Sequence, residues 1–325
     1  MSSKSILSIS LIVFLVLIFS YAAFAKWERS REDDFTGEEG HMRGIHFVDE
    51  KNGWAAGDYG VIVATNDGGA TWEKLESPIE RDFWDLHFVD SKTGWISGEA
   101  GTMLYTEDGG RSWKRQDSVS TVPLYGIYFL DARNGWAVGG NSTIVVTQNG
   151  GSRWAPLSGG AAAAAVGEGT GFWDVHFVTL KKGWIVGTNG TIRMTEDGGK
   201  TWVDQTSGTD SNLSTLDFVN ETTGWAVGEG GVILHTSDGG VTWTAQNSGV
   251  TEWLHGVDFV SDKEGIVTGE YGTILHTTDG GKTWKVDSSG KDKGSPKYTF
   301  YDVSFPKPDV AYASAEWGLI LKYKP

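Results

Sequence analysis

Thr236-Ser237-Asp238-Gly239-Gly240-Val241-Thr242-Trp243 returns, with small changes, as Thr65 to Trp72, Thr106 to Trp113, Thr195 to Trp202 and Thr277 to Trp284. A weaker copy, Thr147-Gln148-Asn149-Gly150-Gly151-Ser152-Arg153-Trp154, makes six. Their closing tryptophans are 41, 41, 48, 41 and 41 residues apart. A fixed period near 41 residues means one supersecondary unit stacked many times.

The unit at 213–247 shows what is stacked. Leu213 to Val219, Gly224 to Gly228, Val232 to Thr236 and Thr242 to Ala245 are short, β-branched and aromatic, and glycine or Asx turns bound each one. Four antiparallel strands in a period of this length are the signature of a propeller blade. The aspartate of the turn is expected to accept backbone N–H groups two residues on. The tryptophan after the turn is expected to open the fourth strand and pack against the blade. The tryptophans of the second strand (Trp54, Trp95, Trp136, Trp184, Trp225) are expected to pack between blades.

The same register predicts blades at about 42–76, 83–117, 124–158, 172–206, 213–247 and 254–288, and a seventh that begins near residue 299 and stops at 323, after three strands. Trp27 lies 45 residues before Trp72 and reads as a seventh closing tryptophan. Residues 26–29 therefore complete the last blade, which closes the ring and removes two sheet edges. The expected fold is an all-β, seven-bladed propeller.

Composition sets further bounds. The 46 glycines and 16 tryptophans suit short strands and tight turns. A net charge of −15 repels nucleic acid and anionic lipid. There is no cysteine, which excludes disulfides, Cys-ligated zinc and thiol catalysis. Lys4, the apolar run Ile6 to Phe19 and Ala23-Phe24-Ala25 read as a signal peptide over residues 1–25, with a membrane anchor as the outcome if it is not cleaved. Cleavage removes one lysine and no acid, giving −15 − 1 = −16. The chain is thus expected in a periplasmic, secreted or lumenal compartment, as a monomer.

Thr-x-Asp-x-Gly-x-Thr-Trp resembles the Asp-box of BNR-type propellers, found in sialidases, sortilin-like receptors and some glycoside hydrolases. The longer run Gly-Trp-Ala-Val-Gly-x-x-Gly-x-Ile-x-x-Thr-x-Asp-Gly-Gly-x-Thr-Trp recurs through 53–72, 94–113, 183–202 and 224–243. It resembles the Ycf48/HCF136 family of photosystem II assembly factors and their relatives in non-photosynthetic bacteria. The resemblance implies a structural Asp-box and an extracytoplasmic, non-enzymatic protein that binds other proteins. Photosynthetic members are associated with a basic patch of arginines, whereas this chain scatters nine arginines over an acidic body.

The Asp-boxes belong to one face of the ring, so binding residues are sought on the other. Its turns between second and third strands carry Asp58, Glu99, Glu229, Glu270 and Glu316. The starts of the first strands carry Arg43, Trp84, Tyr125, Trp173, His255 and Tyr301 at one aligned position. Deeper in those strands, His46, His87, Tyr128, His176, Asp217, Asp258 and Ser304 align as candidates to line the axial channel. Together they describe an acidic funnel rimmed with aromatics, suited to a basic or amphipathic segment of a membrane-associated partner protein, or simply to solvating the channel. A metal on the three histidines is the weaker alternative, and no metal or cofactor is required. The long connections Ser30 to His41 and Ser288 to Pro296 are candidates to wall the funnel, and Ser158 to Gly171 reads as a flexible loop.

The rival class is an Asp-box glycoside hydrolase or carbohydrate-binding protein. Asp85, Asp174 and Asp302 offer carboxylates and Trp84 and Trp173 sugar platforms. Repetition of those carboxylates argues for scaffold, and no arginine triad, phosphate loop or His-Glu-x-x-His motif is present.

Overall fold

Each period folds into a four-stranded antiparallel sheet, and seven such sheets form the ring. The computed structural model describes residues 27–31, 40–157, 171–288 and 298–324. The expected signal peptide and most of the three long connections lie outside them. Among the described residues no helix is long and apolar enough to cross a membrane.

In the fifth blade the inner strand is Leu213–Phe218, the second Gly224–Gly228, the third Ile233–Thr236 and the outer Thr244–Gln246. The outer strand opens after Trp243, later than the sequence suggests, because Thr242 still belongs to the turn. Its N–H and hydroxyl donate to the Asp238 carboxylate at 2.9 and 2.7 Å. The Asp-box aspartate thus accepts from four residues on, not two. Thr236 Oγ1 donates to Asp238 at 2.8 Å and accepts the Gly240 N–H at 2.8 Å. Gly239 and Gly240 have φ of 73° and 87°, the left-handed region that favours glycine. The weak copy holds the same shape, with Asn149 accepting the Arg153 N–H at 2.9 Å.

The core is divided among the blade interfaces. Trp54, Trp95, Trp136, Trp184 and Trp225 stack face to face on Phe88, Phe129, Phe177, Phe218 and Phe259 of the next blade, with centroids 3.5–3.7 Å apart. Each of those indoles also donates to a carbonyl in the next blade's Asp-box turn: Gly109, Gly150, Gly198, Gly239 and Gly280, at 3.0–3.4 Å. A stacked pair contributes about 0.5–1.5 kcal/mol beyond its buried area, and the hydrogen bond about 1 kcal/mol. The glycine opening each second strand lies under the phenylalanine of its own blade; a Cβ on Gly94 would sit 2.4 Å from the Phe88 ring.

A second relay runs beside the first. Gln116, Gln205 and Gln246 each donate to the same turn carbonyl as the neighbouring indole, at 2.8–3.2 Å. Each accepts the next blade's closing tryptophan (Trp154, Trp243, Trp284) at 3.0–3.2 Å. Leu75 and Leu157 stand where the first and third blades would carry this glutamine, and Trp113 and Trp202 opposite them bury an Nε1 without an acceptor among the described residues.

The seam follows the same rules with different residues. Trp27–Arg31 pairs antiparallel with Ile320–Tyr323, placing Trp27 beside Tyr323. Tyr312 replaces the second-strand tryptophan: it stacks on Phe47 at 3.7 Å and donates its hydroxyl to the Gly68 carbonyl at 2.9 Å. Ser30 replaces the glutamine, donating to the Gly69 carbonyl at 2.6 Å and accepting the Trp72 N–H at 3.0 Å. The seventh blade takes its outer strand from residues 27–31 and so has no Asp-box turn to receive an indole. The sixth blade correspondingly carries Ile266, packed with Phe305 and Tyr323.

Deleting residues 27–31 is expected to lower the midpoint of one cooperative melting transition, since the seventh blade and its contacts with the first are lost together. An unchanged midpoint contradicts closure by this strand. Leu75→Gln with Leu157→Gln is expected to stabilise the chain by about 1 kcal/mol per site, read as a higher denaturant midpoint at constant slope.

Candidate functional site

The inner strands carry three stacked tiers into the axis, and each tier has a separate origin. The outermost tier sits on a β-bulge. At the second residue of every inner strand the pairing register slips, between Met42 and Gly44 in the first blade and at equivalent places in the others. A bulge re-aims a side chain. Here it turns Arg43, Trp84, Tyr125, Trp173, Ser214, His255 and Tyr301 into one mouth of about 540 Å³. The sequence-predicted rim residues are therefore brought together.

The rim is nearly continuous. Trp84 meets Tyr125 edge-on at 5.4 Å, and His255 meets Tyr301 at 5.9 Å. Arg43 lies 4.3 Å over the Trp84 ring and 5.4 Å from that of Tyr301. The fifth blade has only Ser214 at this tier. Trp253 covers the gap: its Nε1 donates to Ser214 Oγ at 2.7 Å, and its ring stacks between Trp173 and His255 at 5.6 and 5.7 Å. Trp253 and His41, which lies 5.5 Å from Tyr301, went unnoticed in the sequence because both fall just outside the repeated strand. An aromatic immediately before an inner strand is the signal that would have found Trp253.

The second tier alternates around the ring as Gly44, Asp85, Gly126, Asp174, Thr215, Gly256, Asp302. Each aspartate accepts a backbone N–H from the following blade: Ile127 to Asp85 at 2.8 Å, Leu216 to Asp174 at 3.0 Å, Ile45 to Asp302 at 2.9 Å. Its other oxygen accepts its own chain neighbour, at 2.7–2.8 Å. The glycines lie against the aspartate backbones; a Cβ on Gly126 would be 2.9 Å from Asp174 Cα. Strict alternation is impossible in an odd ring, and Thr215 takes the odd place, donating its hydroxyl to Asp174 at 2.7 Å.

The third tier splits into two halves. His46, His87, Tyr128 and His176 form a run of rings 4.5–4.7 Å apart. Asp217, Asp258 and Ser304 complete the circle around a cavity of about 260 Å³. His46 Nδ1, Asp217, Asp258 and Ser304 accept the N–H groups of Phe88, Phe259, Phe305 and Phe47 in the next blade, at 2.6–3.1 Å. The two lower tiers together bond across six of the seven interfaces. Among the described residues no group of His, Asp and Glu is placed to hold a metal ion.

The turn acids divide. Glu99 and Glu229 are exposed, Glu270 and Glu316 partly so. Asp58 departs from the expected acidic surface: it is buried and paired with Arg43, whose Nε donates to Oδ1 at 2.5 Å. That pair neutralises the one cation of the rim.

Burial sets the protonation of the channel. It lowers His46, His176 and His255 to about 4 and holds His87 well below its ordinary value, so the rings are neutral. Burial raises Asp302 to about 8 and Asp258 to about 6, against the opposing pull of their backbone N–H bonds. Asp85 and Asp217 are raised for the same reason, reinforced by neighbouring carboxylates. Tyr301 is pushed up to about 12 by burial and then by Glu316, with Asp58 and Glu270 adding to it.

Between its unfolded pKa of about 4 and its folded value of about 8, Asp302 keeps a proton that the unfolded chain has lost. Stability from this group is full below that window and is lost as pH rises through it. The histidines act oppositely, but only below about 6.5. The melting temperature is therefore expected to fall from pH 6.5 to 8.5, and to fall less in Asp302→Asn. A flat or rising profile in the native chain contradicts this.

Among solved structures, "YCF48 bound to D1 peptide" superposes with a TM-score of 0.73 at 22% identity, covering 93% of this chain and 98% of that one. YCF48 from Cyanidioschyzon merolae gives 0.73 at 21%, covering 92% and 98%. The GH74 enzyme of Niastella koreensis gives 0.71 at 15%, covering 91% of this chain and 53% of that one. These likenesses show the fold. No curated protein sequence matches the chain. A profile described as photosynthesis system II assembly factor YCF48 matches residues 23–123, 162–249 and 246–324, and with most of its length matched the chain belongs to that family.

Proposed function

We propose that the chain is an exported, monomeric, non-catalytic scaffold that binds a protein partner, membrane-associated, on its funnel face. One observation carries the reading. Asp85, Asp174 and Asp302, and His46, Asp217, Asp258 and Ser304 below them, are taken up in blade-to-blade bonding, while the aromatic rim above them is accessible and unlike from blade to blade. A hydrolase needs two carboxyl groups available to substrate, and Asp85, Asp174 and Asp302 each have both oxygens occupied by backbone N–H groups. The solved YCF48 with a bound D1 peptide supports a polypeptide as ligand. In a photosynthetic host the partner is a component of photosystem II under assembly; in a heterotroph it is another membrane complex.

The exposed Glu99 and Glu229 and the partly buried Glu270 give the face its sign. They favour a partner with basic character. In capture from solubilised membranes, Glu99→Lys with Glu229→Lys and Glu270→Lys is expected to reduce recovery of the partners held by the native chain. Undiminished recovery sinks the acidic-face reading. Hydrolysis of a glycan panel that is lost on changing one carboxylate overturns the non-catalytic one.

A further inference from the structure

The middle residue of the turn between second and third strands is left-handed in every blade. It is Tyr59, Ala100, Asn141, Asn189, Gly230, Tyr271 and Trp317, with φ between 50° and 73°. Glycine and asparagine are the usual occupants of that conformation, and bulky side chains are outliers. Three blades nevertheless carry large aromatics there, and the rings are 59%, 60% and 51% exposed. Burial therefore recovers the strain only in part. The three are not scattered: the sixth, seventh and first blades are neighbours in the ring. Each aromatic follows an acid, as Glu270-Tyr271, Glu316-Trp317 and Asp58-Tyr59. Strained backbone of this kind clusters at active sites, ligand clamps and switch regions.

The arc also continues into the funnel. Trp317 meets His41 at 6.5 Å, and His41 meets Tyr301, which leads through His255 and Trp253 to Trp173 in steps of 5.5–5.9 Å. Arg43 neutralises Asp58 at the first-blade end, where Asp82 accepts the Tyr59 N–H at 3.0 Å, so among the described residues the negative charge along the track lies at Glu270, Glu316 and Asp82.

We propose that an extended basic segment of a partner protein lies over this arc, clamped by Tyr271, Trp317 and Tyr59, with its cationic side chains over Glu270 and Glu316 and its leading end in the funnel. The occupant is a polypeptide rather than a bilayer because an acidic face repels anionic lipid. The inference rests on the funnel face being a partner surface and adds the path, the clamp and the charge of the segment.

The test exploits the strain. Tyr59→Gly with Tyr271→Gly and Trp317→Gly relieves three left-handed aromatics, so the variant is expected to melt at or above the native temperature while losing the clamp. Binding is read by fluorescence anisotropy of the full chain with a labelled dodecapeptide of alternating lysine and leucine, its glutamate-leucine counterpart, and vesicles of phosphatidylcholine with or without phosphatidylglycerol. The expected result is binding of the lysine peptide alone, weakened at least about tenfold in the glycine variant, and weakened also by Trp173→Ala. Equal binding by the glycine variant and the native chain overturns the clamp; if Trp173→Ala still loses binding, the funnel reading stands without it. Preference for vesicles or for the glutamate peptide, or no binding of the lysine peptide by the native chain, overturns the proposed segment. Capture of partners from membranes by that same native chain then keeps the broader partner-binding reading alive.

Discussion

A hydrogen bond from a ring on one blade to a turn carbonyl on the next organises the molecule. The Asp-box explains why that carbonyl is available. Its aspartate and first threonine satisfy the turn internally, so a glycine carbonyl such as Gly239 is left pointing at the neighbouring blade. The indole that reaches it is held at the right height by stacking on the last phenylalanine of that neighbour's inner strand. The motif that looks most like a site is thus the socket of a structural joint. Ile266 shows that the joint, not the repeat as such, is what matters: where the next blade has no Asp-box, the tryptophan is missing too.

This dependence accounts for what was legible in the sequence. Period, blade number and the role of Trp27 follow from counting tryptophans, because each must meet a partner one blade away. The inner-strand rim was also legible, since Arg43, Trp84, Tyr125, Trp173, His255 and Tyr301 share one repeat position. Their orientation was not, because the bulge that turns them inward is a backbone feature with no residue of its own. Asp58 was misread for a different reason. It shares a repeat position with exposed glutamates, but Arg43, seen in no other blade at the rim, draws it inward. Trp253 lies outside the aligned strand and compensates for Ser214, a relation between neighbouring blades that no single repeat displays.

The channel shows how polar residues can be plentiful and still be scaffold. A propeller's inner strands are hydrogen-bonded on one edge only, and their other edge faces the axial channel, where side chains of a neighbouring blade reach it. Asp85, Asp174 and Asp302, with His46, Asp217, Asp258 and Ser304 below, accept the N–H groups that this edge would otherwise leave unmet. An unpaired buried N–H is costly, so carboxyl groups are kept there although burial drives their pKa upward. The raised value of Asp302 is therefore a consequence of a structural duty, and a perturbed pKa in this channel is poor evidence of catalysis.

Function then has to be sought where sevenfold regularity fails without a structural reason. Three failures have such reasons. Thr215 exists because glycine and aspartate cannot alternate in an odd ring, Ile266 because the seam has no Asp-box, and Tyr312 with Ser30 because the seam must still be bonded. The left-handed aromatics of the sixth, seventh and first blades do not reduce to any of these. Gly230 and Asn189 show that the same turn forms with residues suited to it, so Tyr59, Tyr271 and Trp317 are not required by the backbone. Each leaves half or more of its surface exposed, so burial compensates only in part. What remains is an interaction outside the chain, on the arc that also holds the seam. The N-terminal strand reaches that arc through Arg31, whose Nη1 donates to the Gly318 carbonyl beside Trp317 at 3.2 Å, so the strand that closes the ring also supports one turn of the candidate binding surface.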